Sequence, residues 1–147
     1  MRWIDFEDSE AEKERLEKKI KENPDDAQAY YELGTVYEYL RAWTTSKEFC
    51  DKALKIDPKN VMYHAFHSFV NTHLEEHEEA IYDLITVIEL GGDESDYYVD
   101  MAQGAQRGQD KEYAVLMVVD LRKEGRDKIA DKLEEWLLKP YLAKKGS

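Results

Sequence analysis

Residues 27–60 read AQAYYELGTVYEYLRAWTTSKEFCDKALKIDPKN, and the rest of the chain is laid out as weaker copies of this 34-residue stretch. Stepping 34 residues at a time carries Pro24 to Pro58 to Gly92. Each closes a short polar turn: Asn23-Pro24-Asp25-Asp26, Asp57-Pro58-Lys59-Asn60 and Gly91-Gly92-Asp93-Glu94. The same step carries Tyr30 to His64 to Tyr98, Gly34 to Ser68 to Ala102, and Ser46 to Ala80 to Ala114. A ring position and two small-residue positions therefore recur in register, the mark of a repeat architecture.

Within the first copy, Ala29, Tyr30, Leu33, Tyr37 and Leu40 recur at three- and four-residue spacing and predict a helix over 26–40. Phe49, Cys50, Ala53, Leu54 and Ile56 predict a second over 45–56, with Trp43 in the turn between them. Asp57-Pro58 ends that helix because proline disfavours helical geometry at the residue before it. The later copies predict helices over 61–74, 78–90, 95–107 and 111–123, the last stopped at Gly125. Ahead of the repeats, Ser9 serves as N-cap to a Glu- and Lys-rich helix over 11–22 with Ala11, Leu16 and Ile20 on one face. Behind them, Ile129, Leu133, Trp136 and Leu137 give one apolar face to a helix over 126–139 that Pro140 stops. No stretch reads as a strand.

The stretch 27–60 resembles the tetratricopeptide repeat (TPR), whose signature matches here at Tyr30, Leu33-Gly34, Tyr37, Ser46, Cys50, Ala53 and Pro58. Ser46 stands where the pattern has alanine and keeps the small side chain that the helix contact needs. The second copy departs further, with His64, His67, Ser68 and Asn71 where the pattern wants apolar or aromatic groups. The third keeps Tyr98, Met101, Ala102, Ala105, Ala114 and Leu121. The resemblance implies an all-α, TPR-type α-solenoid of antiparallel helix pairs, about eight helices in all. Its parts are an N-terminal arm and capping helix (1–26), three repeats (27–60, 61–94 and 95–125), and a C-terminal capping helix and tail (126–147).

The same resemblance implies a non-enzymatic module whose concave groove, lined by the first helix of each repeat, holds a peptide or helix of a partner. The lining positions carry over to Gln28, Tyr31, Thr35, Glu38 and Tyr39, then Met62, Ala65, Phe69, Thr72 and His73, then Asp96, Val99, Gln103, Gln106 and Arg107. Tyr31, Tyr39 and Phe69 are the expected aromatic anchors, since such rings dominate interface energetics. The chaperone-tail binders of the family clamp a terminal carboxylate with lysines, asparagines and an arginine. The corresponding positions here are Tyr31, Thr35, Phe66, Asp96 and Asp100, two of them with the wrong sign. A partner of basic or apolar character follows.

Composition points the same way. At 147 residues, 42% hydrophobic and 12% aromatic, the chain suits one domain with a buried core. A net charge of −12 without a basic run argues against nucleic-acid or anionic-membrane binding. Absence of a long apolar run and of a signal-peptide pattern sets the expectation of a cytoplasmic protein. One cysteine precludes an internal disulfide, and Cys50 falls at a packing position. His64 and His67, and His73 and His77, are spaced to share helix faces, but packing positions favour neutral, hydrogen-bonded histidines over ligands. No metal site, cofactor or catalytic residue is assigned, because no phosphate loop, nucleophile elbow or metalloprotease motif is present. The competing expectation is a self-assembling structural protein, with Trp3, Phe6, Trp136, Tyr141 or Leu142 as homo-oligomer contacts.

Overall fold

A computed structural model describes residues 6–109 and 111–139, with side-chain surroundings from Asp8 onward. Among these residues the fold is all-α, with eight helices and no strand: α1 (Phe6–Glu22), α2 (Ala27–Tyr39), α3 (Trp43–Ile56), α4 (Val61–His73), α5 (His77–Glu89), α6 (Tyr97–Arg107), α7 (Glu112–Lys123) and α8 (Asp127–Leu137). Trp3, Ile4, Tyr141, Leu142 and the Phe6 side chain lie outside the described residues. The chain divides into two compact units, 1–63 and 64–147.

In the first unit α1 and α3 both pack on α2. Leu16 from α1 meets Ala29, Leu33 and Val36 from α2, and Ile20, Tyr37, Leu40 and Phe49 close around them. Helix α1 begins at Phe6, earlier than the Ser9 cap implies, and Ser9 is a buried residue inside it. Acidic Asp8 favours this longer start, since negative charge is stabilised in the first turn of a helix.

In the second unit α5 packs against α6, α7 and α8, and α8 also packs on α6 and α7. Its buried residues include Phe66, Val70, Ile81, Leu84, Val99, Leu121 and Leu133. The apolar face expected of α8 is there: Leu133, Trp136 and Leu137 are buried together with Ala130. Trp136 is therefore a core residue rather than an oligomer contact, and its indole N–H donates to Glu94 Oε1.

The 34-residue period reappears as repeated backbone geometry. Ala42 donates its amide to the Tyr37 carbonyl and Glu76 to the Asn71 carbonyl, both at 2.8 Å; Gly92 does so to Val87 at 2.8 Å and Arg126 to Leu121 at 2.9 Å. This six-residue closure is the Schellman ending, in which one residue turns left-handed to satisfy the last carbonyls. Those residues are Arg41 (φ 61°), Glu75 (φ 62°), Gly91 (φ 78°) and Gly125 (φ 76°). Arg41 and Glu75 are one repeat apart, as are Gly91 and Gly125. Because the turn uses only three residues, α3 starts at Trp43 and α5 at His77, both expected in the turns.

Helix starts repeat as well. Asp26 Oδ1 accepts the Ala29 amide and Asn60 Oδ1 accepts the Tyr63 amide, each at 3.1 Å. The third copy differs: Asp93 Oδ1 takes the Ser95 amide at 2.9 Å, and the Asp96 amide reaches the Asp93 carbonyl at 3.0 Å. That Asx turn holds the chain out of helix, so α6 starts two residues later than the period predicts.

The paired helices touch where small residues recur. Ser46 Oγ on α3 donates to the Gly34 carbonyl on α2 at 2.7 Å, and Ser68 Oγ on α4 donates to the Ala80 carbonyl on α5 at 2.7 Å. The hydroxyl sits on the second helix of the pair in one copy and on the first in the other. Ala102 and Ala114, the third set, are likewise buried.

Left-handed backbone costs a non-glycine residue about 1 kcal/mol or more. Glu75→Gly should therefore stabilise the chain by about 0.5–1 kcal/mol and raise its thermal midpoint by about 2–4 °C, while Glu75→Ala should bring no such gain. Circular dichroism melts of both variants check this.

Candidate binding surfaces

Helix α2 buries Ala29, Leu33, Gly34 and Val36. By helical geometry Gln28, Tyr31, Thr35, Glu38 and Tyr39 occupy the opposite face. The Tyr31 ring stacks on Tyr63 with centroids 4.9 Å apart, and the Tyr63 hydroxyl donates to Gln28 Oε1 at 3.0 Å. Asn60, capping α4, holds Tyr63 in place through its backbone amide. The result is one half-buried ring, Tyr31, backed by the buried ring of Tyr63 and edged by an amide.

Burial above all pushes the Tyr31 hydroxyl well above its ordinary range, so it stays protonated and able to donate. Burial also raises the Glu38 carboxyl, against the opposing charge of Arg41. Thr35 spends its hydroxyl on the Glu32 carbonyl at 2.7 Å. Tyr39 is 41% exposed, Gln28 is exposed, and Met62 is half-buried. Within the first unit these residues thus range from exposed, Gln28 and Tyr39, to half-buried, Tyr31, Thr35, Glu38 and Met62.

The expected lining residues of the second unit are mostly packed. Ala65, Phe69, Thr72, Val99, Gln103 and Gln106 are buried. Phe69 meets His73 edge to face at 4.7 Å and Tyr98 at 6.2 Å. Gln106 Nε2 donates to Thr72 Oγ1 at 2.9 Å, and Thr72 donates to the Ser68 carbonyl. Arg107 Nε donates to the Gln103 carbonyl at 3.4 Å. His73 is exposed, while Asp96 precedes α6 and is half-buried. Of the three expected anchors, Tyr39 is open, Tyr31 is half-covered by Tyr63, and Phe69 is a packed ring.

A second constellation was invisible in the pattern. Asp83 on α5 receives His67 Nδ1 at 2.7 Å and Asn71 Nδ2 at 3.0 Å on one oxygen, and His64 Nδ1 stands 3.9 Å from the other. Burial pushes the Asp83 carboxyl up, but the nearby His64 and the hydrogen bonds from His67 and Asn71 outweigh it and hold the group below its ordinary value. An ionised carboxylate only accepts, so His67 must carry its proton on Nδ1.

The repeat register explains the placement. In the first copy Phe49 stacks on Tyr30 and Tyr37, with centroids 6.5 and 5.4 Å away. One repeat later those three positions are Asp83, His64 and Asn71, and His67 replaces Leu33. An aromatic trio has been exchanged as a set for a charge-assisted polar one. The sequence exposed the three polar residues of α4 as departures, but Asp83 on a charge-rich helix gave no signal. Among the described residues no group of three or more His, Cys, Asp or Glu side chains is arranged to hold a metal ion.

Compared with known proteins, the chain matches no family model and no curated protein. No helix among the described residues is long and apolar enough to cross a membrane.

The lowered Asp83 pKa fixes a sign. Stability from this carboxylate is complete above the unfolded value of about 3.8 and is lost as pH falls through the lower folded value. Asp83→Asn should destabilise by about 1–3 kcal/mol at neutral pH. The gap between wild type and variant should shrink below about pH 4 in denaturant titrations. Conversely, His64→Tyr, His67→Leu, Asn71→Tyr and Asp83→Phe together rebuild the first copy's aromatic set. That fourfold variant should fold and match or exceed wild-type stability, since well-packed apolar groups replace buried ionic ones at no net cost.

Proposed function

We propose that the chain is a TPR-type, non-enzymatic protein-interaction module that takes an extended peptide or a helix of a partner against α2. The observation that carries this reading is the outer face of α2: exposed Tyr39, half-buried Tyr31 held against the buried Tyr63 ring, and Gln28 and Glu38 at its edges. Rings held in a fixed orientation lose little entropy when a partner covers them, which is why tyrosines anchor interfaces. The exposed Gln28 amide supplies hydrogen bonds to partner backbone. Glu38 and the net charge of −12 favour encounter with basic segments and disfavour acidic ones. The lone cysteine, buried with its Sγ directed at the Tyr63 carbonyl, accords with work in a reducing, cytoplasmic setting.

The test is a panel of labelled peptides of about 15 residues, matched in apolar content and differing in charge sign, titrated by fluorescence anisotropy. Basic, aromatic-bearing peptides should bind and acidic ones should not. Tyr39→Ala should weaken binding by about tenfold with unchanged helicity. Equal binding of both charge classes, or indifference to Tyr39→Ala and Tyr31→Ala, would contradict the reading.

A further inference from the structure

Helix α7 is apolar on two faces. Its inner face, Ala114, Met117, Val118 and Leu121, is buried within the second unit. Its outer face still exposes Val115 at 45%, Leu116 at 53% and Val119 at 41%. One repeat earlier the same positions are Ile81, Tyr82 and Ile85, of which only Tyr82 is exposed. At the same register in the first copy, α3 carries Lys47, Glu48 and Asp51, two repeats earlier in sequence. A helix of a water-facing layer ordinarily turns charge outward, and a contiguous apolar ridge marks a contact surface.

The ridge carries its own complement. Along it the outward positions are Glu112, Leu116, Val119 and Lys123, spaced four, three and four residues, the spacing of a helix-pairing seam. Two such helices laid antiparallel about a twofold axis place Leu116 against Val119 of the other copy at the centre. The same alignment sets Glu112 opposite Lys123 at both ends. That charged pair is of opposite sign, and each contact occurs twice, as an isologous interface demands. A parallel alignment would instead set like charges side by side.

We infer that this face binds a second copy of the chain, with α7 pairing antiparallel to α7 of the other copy. The surface is distinct from α2 and stands whether or not α2 binds peptide. A seam about 18 Å long lies at the small end of specific interfaces, so the dimer forms in the micromolar range or weaker.

Sedimentation velocity of the full chain, from about 1 µM to 1 mM at low salt, tests it. The mass should rise from monomer toward dimer. Leu116→Glu should raise the dissociation constant at least about tenfold without altering helicity or thermal midpoint. Glu112→Lys and Lys123→Glu singly each create two like-charge contacts and should weaken the dimer about three- to tenfold, an effect that fades in 1 M salt. Glu112→Lys combined with Lys123→Glu restores opposite signs and should return the constant to within about threefold of wild type. A monomer at every concentration, as when another segment of the same chain covers the ridge, overturns the inference. So does a dimer indifferent to Leu116→Glu, or a double charge variant no tighter than the singles.

Discussion

The close approach of paired helices through small side chains is the constraint on which the rest depends. A serine hydroxyl reaches the facing backbone carbonyl only when the two helices are nearly in contact, and it does so at Gly34 and again at Ala80. That approach fixes how deeply the larger neighbours interdigitate and so dictates the small residues recurring every 34 positions. It also confines the connection between the helices to a three-residue turn. The chain accepts left-handed backbone at Arg41 and Glu75 to make that turn, without the glycine it uses at Gly91 and Gly125.

Around this fixed contact the chemistry of the neighbouring positions is free to vary as a set. The first copy fills them with stacked rings, the second with an aspartate and its imidazole and amide donors. Both satisfy the same space, one by dispersion and apolar burial, the other by charge-assisted hydrogen bonds that compensate for taking a carboxylate out of water. The polar version brings a dependence on pH that the aromatic version lacks.

Helix positions were legible because apolar spacing and proline or glycine punctuation are local signals. The boundaries of α2, the end of α3 and the apolar face of α8 follow from residues within a few positions of each other. What was not legible depended on neighbours distant in sequence. Ser9 reads as a cap until the acidic residue before it extends the helix. Phe69 reads as a groove anchor because register gives only the helix face, and it is His73 and Tyr98 that cover its ring. Asp83 reads as one more surface carboxylate until α4 brings two histidines and an asparagine to it. Tyr31 and Tyr39 share the α2 face that register gave them, yet the partnership of Tyr31 with Tyr63 arises from the next helix. The apolar outer face of α7 was present in the sequence, masked by the equally apolar inner face.

Close helix contact, present at Gly34–Ser46 and Ser68–Ala80 and expected by register at Ala114, is tested most directly by enlarging those residues. Ser46→Leu, Ala80→Leu and Ala114→Leu, measured by chemical denaturation, should each cost about 2–3 kcal/mol or more, because the added volume has nowhere to go in a packed contact. Comparable loss at all three positions is the predicted result. Tolerance of leucine at any one of them, within about 0.5 kcal/mol of wild type, would contradict the shared contact from which the repeat register, the turns and the exchanged side-chain sets have been derived.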